Sequence, residues 1–436
     1  MIGLWCLLLI EILCFVLTFY FNRKDIMAPS VLLTLVFIFS TSLAIMNGHK
    51  WRVDYDFASC IILSLGIILF CFTDIWVRNK SVQTKNVISQ IMPIEVSNKM
   101  TWLIILTDVI IVYFVYCEVQ RIAATNTWFD NAFYAYRMIT SHSEDIDTDQ
   151  YMDGKINQAM KIVIVSGFLY MYFFTNNVFI CKQNVKKNIQ LLLPPFILCM
   201  MTIMTGVRTN ILRLCVFCFV CSYILLQFKR NWKIQIPWRF IKTMIGSLAV
   251  ILIAFFILQS VLGRNESGSV DGFTVISNYA GAPIVHFNQY IQKPPPTNEV
   301  FAQETFTGVW NVLYKLGITD KMYLVHEEFR RLTSMDSGNV YTLFRRFIQD
   351  FGILGMCVMT ILLSYFFSYV YNRKIRTQKL NYRTMLIIIK YGYAYYIIAM
   401  ASIDNFVHDY VNLGTVMMIV ILHLMCRFAI SSKYKI

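Results

Sequence analysis

Charge is what this 436-residue sequence has least of: Asp, Glu, Lys and Arg make up 15% of it, while apolar residues make up 57%. A soluble domain carries roughly a quarter charged residues and roughly half apolar ones, so the shortage excludes an ordinary water-soluble globule. A disulfide framework is missing too. All twelve cysteines lie in or beside apolar runs and none in the long polar intervals, which excludes an outer domain stapled by disulfides. Cys215, Cys218 and Cys221 have zinc-like spacing, but they sit in an apolar helix without a histidine and read as small buried hydrophobes. Dinucleotide, P-loop, nucleophile-elbow and HExxH signatures are absent as well, which leaves nucleotide-driven chemistry without support.

What the sequence does have is apolar runs of membrane length. Crossing a hydrocarbon core takes roughly 20 apolar residues of helix, and about eleven segments qualify. They lie near residues 2 to 20, 27 to 46, 57 to 76, 101 to 119, 157 to 180, 191 to 206, 210 to 228, 243 to 262, 351 to 371, 384 to 403 and 410 to 428. The expected fold class is an all-α polytopic membrane protein with about eleven transmembrane helices and a large structured outer loop. The first run is longer than a signal-peptide core and has no small-residue cleavage site before Phe21, so it is expected to stay attached.

The net charge of +14 is informative through its placement. Arg23 and Lys24, Arg78 to Lys99, Lys182 to Lys187, Lys229 to Lys242 and Arg373 to Arg383 fall in alternate connections, which the positive-inside rule makes cytoplasmic. Asp54, Asp56 and the acidic run from Glu144 to Asp153 fall in the other set. The expected organisation is residues 1–262 as transmembrane helices one to eight with an outer loop near 120–155, residues 263–350 as the large outer loop, and residues 351–436 as the last three helices and a cytoplasmic tail.

That large loop is the longest polar interval, and its regular aromatics mark a structured cap rather than a linker. It holds Arg264, His286, His326, Glu327, Glu328, Arg330, Arg331, Asn339, Arg345, Arg346 and Asp350. Arg346 and Asp350 stand at i, i+4, and a local ion pair is the simplest account of that spacing. In MTGVRTNIL a tight turn sets Arg208 at the ends of two helices. Two readings stand for it: a fork for phosphate at a helix N-terminus, or an arginine snorkelling to the interface. Arg213, one turn further in, needs a partner or a wet cavity, and Glu11 is a carboxylate inside a span. Arg137, between Tyr134 and Tyr136, suits a sugar or phosphate, or an ordinary surface salt bridge. The turn ASIDNFVHDY brings Asp404, His408 and Asp409 to the surface that the long loop covers, with His408 readable as a base, a metal ligand or a hydrogen-bonded cap.

In order and spacing, MTGVRTNIL, NYAGAPIVHFNQYI and GNVYTLFRRFIQDFGILG resemble the O-antigen polymerase family of oligosaccharide repeat unit polymerases, over roughly residues 120 to 410. The resemblance implies a GT-C-like membrane glycosyltransferase of the bacterial inner membrane, working at the periplasmic face. Such an enzyme joins undecaprenyl-pyrophosphate-linked oligosaccharides into O-antigen or capsular polysaccharide. Its implied partners are that lipid-linked oligosaccharide, the bilayer and a chain-length regulator protein, with no nucleic acid, cofactor or metal. Carried over residue by residue, Arg208 and Arg264 meet the pyrophosphate with Arg345 or Arg346 helping. His326, Glu327, Asp350 and His408 are candidates to orient or deprotonate the acceptor hydroxyl. Arg137, Tyr279, Asn339 and Thr342 are expected to touch substrate. A lipid-linked oligosaccharide flippase and an O-antigen ligase are the alternatives.

Overall fold

The computed structural model describes residues 1–81, 91–124, 131–142, 152–206, 209–232, 242, 272–323, 327–333 and 337–430. Among these the regular elements are helices apart from one minimal antiparallel pair, β1 (Arg330–Arg331) with β2 (Ser337–Gly338), and an isolated bridge between Val96 and Ile430. Eight helices are long and apolar enough to cross a membrane. They are α1 (Ile2–Phe21), α2 (Pro29–Met46), α3 (Phe57–Asn79), α4 (Asn98–Ala123), α6 (Gly154–Phe174, running on as a π-turn to Ile180), α7 (Val185–Met204), α8 (Thr209–Lys229) and α11 (Leu343–Tyr369, running on to Ile375). Between them lie α5 (Ala132–His142), α9 (Ala282–Gln292) and α10 (Thr307–Lys315). The chain closes with α12 (Tyr382–Ala394) and α13 (Leu413–Ala429).

These helices make a polytopic membrane protein and match eight of the expected spans. The span expected at 243 to 262 lies outside the described residues. The one expected at 384 to 403 is in two pieces, α12 and the turn Tyr396–Ala399, which meet at Tyr395. Tyr395 is fully buried and its hydroxyl donates to the Met27 carbonyl at 2.8 Å. The last expected span is α13, whose 17 residues reach about 25 Å at 1.5 Å per residue, short of the roughly 30 Å core.

The described helices fall into two compact units. Unit 1 comprises residues 1–85, 270–378 and 394–415, and unit 2 comprises 86–269, 379–393 and 416–436. In unit 1, α1 buries Leu4, Leu7, Glu11, Cys14 and Thr18, a seam spaced alternately three and four, as a left-handed helix packing requires. Its other face leaves Leu9, Leu13 and Val16 exposed, the surface lipid would cover. α11 packs along α3, and α9 packs against α2 and α3. A short approach makes this possible. A side-chain carbon at Gly66 of α3 would stand 2.5 Å from the ring of Phe344, and that ring also stacks on Phe37 at 5.8 Å. Phe344 is thus wedged between two helices, which fixes the direction of its neighbours Arg345 and Arg346.

Within α11 the backbone breaks at Gly352, with φ 68° and ψ −176°. Residues 343–351 form a separate head helix, and the apolar run proper starts at Ile353. The expected span of 351 to 371 begins at this break.

In unit 2, α6 packs on α4 and α7, and α8 packs on α6. Phe168 meets Phe217 and Tyr393 edge-on at 5.1 and 4.8 Å.

Candidate functional site

The head helix of α11 carries a close group of ionisable residues, in which Arg345 and Arg346 meet Glu304, Glu327, Glu328 and Asp404. Arg345 and Arg346 are adjacent, so they leave the helix about 100° apart and enter different surroundings. Arg345 is 2% exposed. One terminal nitrogen donates to Glu304, and the other donates to Glu328 at 2.6 Å. Its guanidinium carbon lies 5.2 Å from the ring centres of both Tyr290 and Tyr341, close enough for cation–π attraction to both. Both terminal nitrogens of Arg345 are thus engaged by protein, while its Nε, like that of its neighbour, makes no hydrogen bond among the described residues. Glu328 is also held by Arg330 at 2.9 Å, and Arg330 donates to the carbonyls of Gln289 and Lys293 at 2.7 and 2.6 Å. This web ties the β1 segment to the end of α9.

Arg346 differs. Its Nε lies 3.1 Å from Glu327 and 3.5 Å from Asp404. Neither Arg346 Nε nor Glu327 Oε1 is aligned for a hydrogen bond, and both atoms are sealed from solvent. The terminal nitrogens of Arg346 make no hydrogen bond among the described residues. Glu327 is 7% exposed, with Arg345 a further 3.7 Å from its carboxylate. Burial, helped by the charge of Asp404, raises its proton affinity well above that of an ordinary glutamate, although both arginines oppose this. Burial also raises Glu304 against the pull of Arg345. At Glu328 burial acts in the same direction, but Arg345 and Arg330 outweigh it and the carboxyl stays below the usual range.

Hydrogen bonds hold the two chain segments of the site together. Leu343 N–H donates to the Ala401 carbonyl at 2.8 Å, and Asn405 Nδ2 donates to the Leu343 carbonyl at 2.7 Å. The 401–409 turn therefore does reach the long-loop segment, and it brings Asp404 rather than His408 to Arg346. His408 Nδ1 donates to the Asn405 carbonyl (2.8 Å) and its Nε2 lies 3.3 Å from Asp409, the capping arrangement among its three readings.

Asp350 does not pair with Arg346. Its carboxylate accepts from Asn298 Nδ2 at 2.6 Å and from the backbone N–H groups of Glu304 (3.0 Å) and Thr305 (2.6 Å). Two backbone donors would be orphaned without it, which outweighs a helix-surface ion pair worth a few tenths of a kcal/mol, about 0.2–0.5. Asp350 therefore bolts the 298–305 segment to the head helix, and as a catalytic candidate it has its oxygens occupied.

Thr342 caps α11 without a side-chain bond, and its buried hydroxyl makes no hydrogen bond among the described residues. Asn339 precedes Val340, whose carbonyl meets His286 Nδ1 at 3.0 Å. Burial lowers His286 to about 4 and keeps it neutral. Tyr279, in a π-turn before α9, is 42% exposed. In unit 2, Arg137 lies across the turn before Arg208, donating to the Gly206 carbonyl, with φ 66° at Gly206. Arg213 is buried, 3.2 Å from the Tyr393 hydroxyl and over that ring. Arg208, Arg264, His326 and most of the acidic run from Glu144 to Asp153 lie outside the described residues.

Sequence reading missed Glu304, which nothing in AQETF marks, and treated Asp404 only as a neighbour of His408. It also missed Asp74, a fully buried carboxylate inside α3.

Fold and cluster together define a multi-pass membrane protein with a buried acid–arginine group at the head of one helix. The chain matches no protein-family model, no curated protein and no solved structure.

Proposed function

We propose that this protein is a glycosyltransferase that polymerises undecaprenyl-pyrophosphate-linked oligosaccharide repeat units into O-antigen or capsular polysaccharide, at the periplasmic face of a bacterial inner membrane. The observation that carries the reading is the buried, misaligned pairing of Glu327 with Arg346 at the head of α11. A carboxylate with raised proton affinity suits a general base. A guanidinium whose terminal nitrogens make no hydrogen bond among the described residues suits an anionic leaving group.

In this reading Glu327 takes the proton of an acceptor sugar hydroxyl. The hydroxyl oxygen bonds to the anomeric carbon of the donor glycan, the bond from that carbon to the pyrophosphate oxygen breaks, and Arg346 meets the charge left on the lipid pyrophosphate. Asp404 holds Arg346 in place. Arg345, neutralised by Glu304 and Glu328, positions the head helix instead of touching substrate. Arg208 and Arg264 remain assigned to the pyrophosphate on the strength of the resemblance, as does a chain-length regulator as partner.

The flippase alternative has one observation of its own. Glu11 and Asp108 are fully buried within spans, hydrogen-bonded to Thr41 at 2.9 Å and Ser166 at 2.6 Å, with no ion pair among the described residues, and carboxylates so placed often mark transport pathways. A deletion strain separates the readings. Single repeat units still displayed on the surface, with the ladder of longer chains gone, supports polymerisation; loss of the single units as well supports transport and overturns it.

A further inference from the structure

α10 is nine residues long and buries none of its side chains. Val309, Val312, Leu313 and, one residue past its end, Leu316 recur at i, i+3, i+4 and i+7, a single apolar stripe. Thr307, Asn311 and Lys315 lie on the opposite face. The two ends of the stripe are open, Val309 and Leu316 being 42% and 67% exposed, while Val312 and Leu313 between them are half-buried. Gly308, at i, i+4 from Val312, packs against Asn412 and the Val411 carbonyl, so the helix is seated beside one edge of the stripe.

What covers the stripe is indicated by what it adjoins. The segment leading into α10 is bolted to the head of α11 by the Asp350 carboxylate. Its Phe301 and Phe306 meet the Phe351 ring at 5.4 and 6.4 Å. Phe351 is the last residue before the Gly352 break. Directly beyond it Ile353 and Leu354 begin the apolar run, with Leu354 80% exposed, as a lipid-facing position of a membrane helix is. Phe301 and Ile318, at the two ends of the α10 segment, are 73% and 65% exposed. The apolar surface of α11 thus continues through Phe351 to Phe301, whose carbonyl accepts from Trp310 Nε1 at 3.1 Å at the border of the α10 stripe.

We propose that α10 is an interfacial helix, lying in the headgroup region of the leaflet at which α11 begins, with Val309, Val312, Leu313 and Leu316 turned into the lipid. Trp310 borders the stripe, as amphipathic aromatics do at the boundary of a bilayer. The helix holds the 298–305 segment, and with it Glu304, at the depth of the first lipid-facing turn of α11. The placement follows from helix geometry and does not depend on the transfer reaction.

The test uses the full chain in vesicles of phosphatidylethanolamine and phosphatidylglycerol, with the photoreactive residue benzoylphenylalanine introduced singly: Leu313→benzoylphenylalanine and Leu316→benzoylphenylalanine on the stripe, the same change at Asn311 and Lys315 opposite it, and at Leu354 as an in-membrane reference. Mass spectrometry after illumination should find lipid adducts at Leu313 and Leu316 near the level at Leu354 and roughly tenfold above Asn311. Crosslinks from Leu313 to a second copy of the chain, or no lipid adduct there while Leu354 is labelled, overturn the proposal. As a second measurement free of the probe, Leu313→Asp with Leu316→Asp should speed trypsin cleavage after Lys315 in vesicles severalfold. An unchanged cleavage rate counts against the lipid-facing stripe.

Discussion

α11 carries a buried polar cluster at each end, and the two are built on opposite plans. Near its C-terminus, Asp74 of α3 accepts from Asn22 (3.1 Å), from both the backbone and the hydroxyl of Ser30, and from Ser368 of α11. Beside it Tyr371 donates to both oxygens of Asp25 at 3.1 and 3.0 Å, and Arg78 donates to Asn22 at 2.8 Å. Each carboxylate there is met by well-placed donors. At the head of the same helix, Glu304, Glu327, Glu328 and Asp404 share Arg345 and Arg346, and the Glu327–Arg346 contact is close but off-line. A donor-saturated carboxylate has little chemistry left to perform and serves to lock helices together. A buried carboxylate left short of donors holds its proton more tightly and can exchange it.

The sharpest way to break this contrast is to neutralise one carboxylate in each cluster. Glu327→Gln keeps the shape and removes the base, so transfer should fall by about 10²–10⁴-fold with membrane levels unchanged, measured as chain formation by purified protein on lipid-linked repeat units. Retained activity in that variant takes Glu327 out of the reaction. The pH dependence carries a second signature. Because the folded protein binds the Glu327 proton more tightly than the unfolded chain does, this group's contribution to stability declines as pH climbs above the ordinary glutamate value of about 4.3. Over the same range the base form accumulates, so kcat/KM should rise with pH on a limb displaced above that value. Glu327→Gln should flatten both profiles. If the parent shows neither slope, the carboxylate is an ordinary one.

Next in size is Arg346→Lys. A lysine keeps the charge and loses the planar fork. Losing one charge-assisted contact worth about 2.7 kcal/mol in the transition state slows transfer roughly a hundredfold. Arg345→Lys should act differently, lowering the unfolding midpoint through the lost grip on Glu304, Glu328 and the two tyrosines. If both variants lose activity and stability in parallel, the division of labour between neighbouring arginines is wrong.

The membrane architecture was legible because hydrocarbon imposes a length and a composition on each crossing, and the runs at 2 to 20 or 57 to 76 could hardly be anything else. The cluster was only half legible. Arg345 and Arg346 read as equals because adjacent arginines differ only in helical phase, and phase means nothing until Phe344 is wedged against Gly66. Arg346 and Asp350 read as partners because i, i+4 is a local rule, whereas the backbone donors that claim Asp350 lie more than forty residues away. Asp74 was invisible for the same reason: Ser368 is 294 residues distant in sequence. Aromatic regularity in the long loop was readable and pointed to an ordered segment, which Tyr290 and Tyr341 supply.

At the saturated cluster, Asp74→Asn should leave activity per folded molecule untouched and cost about 1.5–3 kcal/mol of stability, because an amide cannot accept from all the donors that converge there. Thermal unfolding in detergent, read beside specific activity, checks both halves. A variant as stable as the parent would mean that Asp74 is not the lock between α3 and α11.

The smallest effect expected is at the break between the two parts of α11. Gly352 has φ 68° and ψ −176°, a region that only glycine enters without strain. A side-chain carbon there would meet nothing within 4 Å, so Gly352→Ala carries a backbone penalty and no collision, of order 1–3 kcal/mol. Gly352→Asn should cost as much as Ala, since asparagine is tolerated in the left-handed helical region at ψ near +45°, far from the value here. The strain acts on the joint that sets the head helix against the span, so the Asp350 clamp on Glu304 and Thr305 is the first contact to loosen, and hydrogen exchange at those two amides should quicken before global unfolding does. If Ala leaves both exchange and unfolding midpoint unchanged, the head helix runs straight into the span and Arg346 points elsewhere; if Asn alone is benign, the break has relaxed to an ordinary left-handed turn.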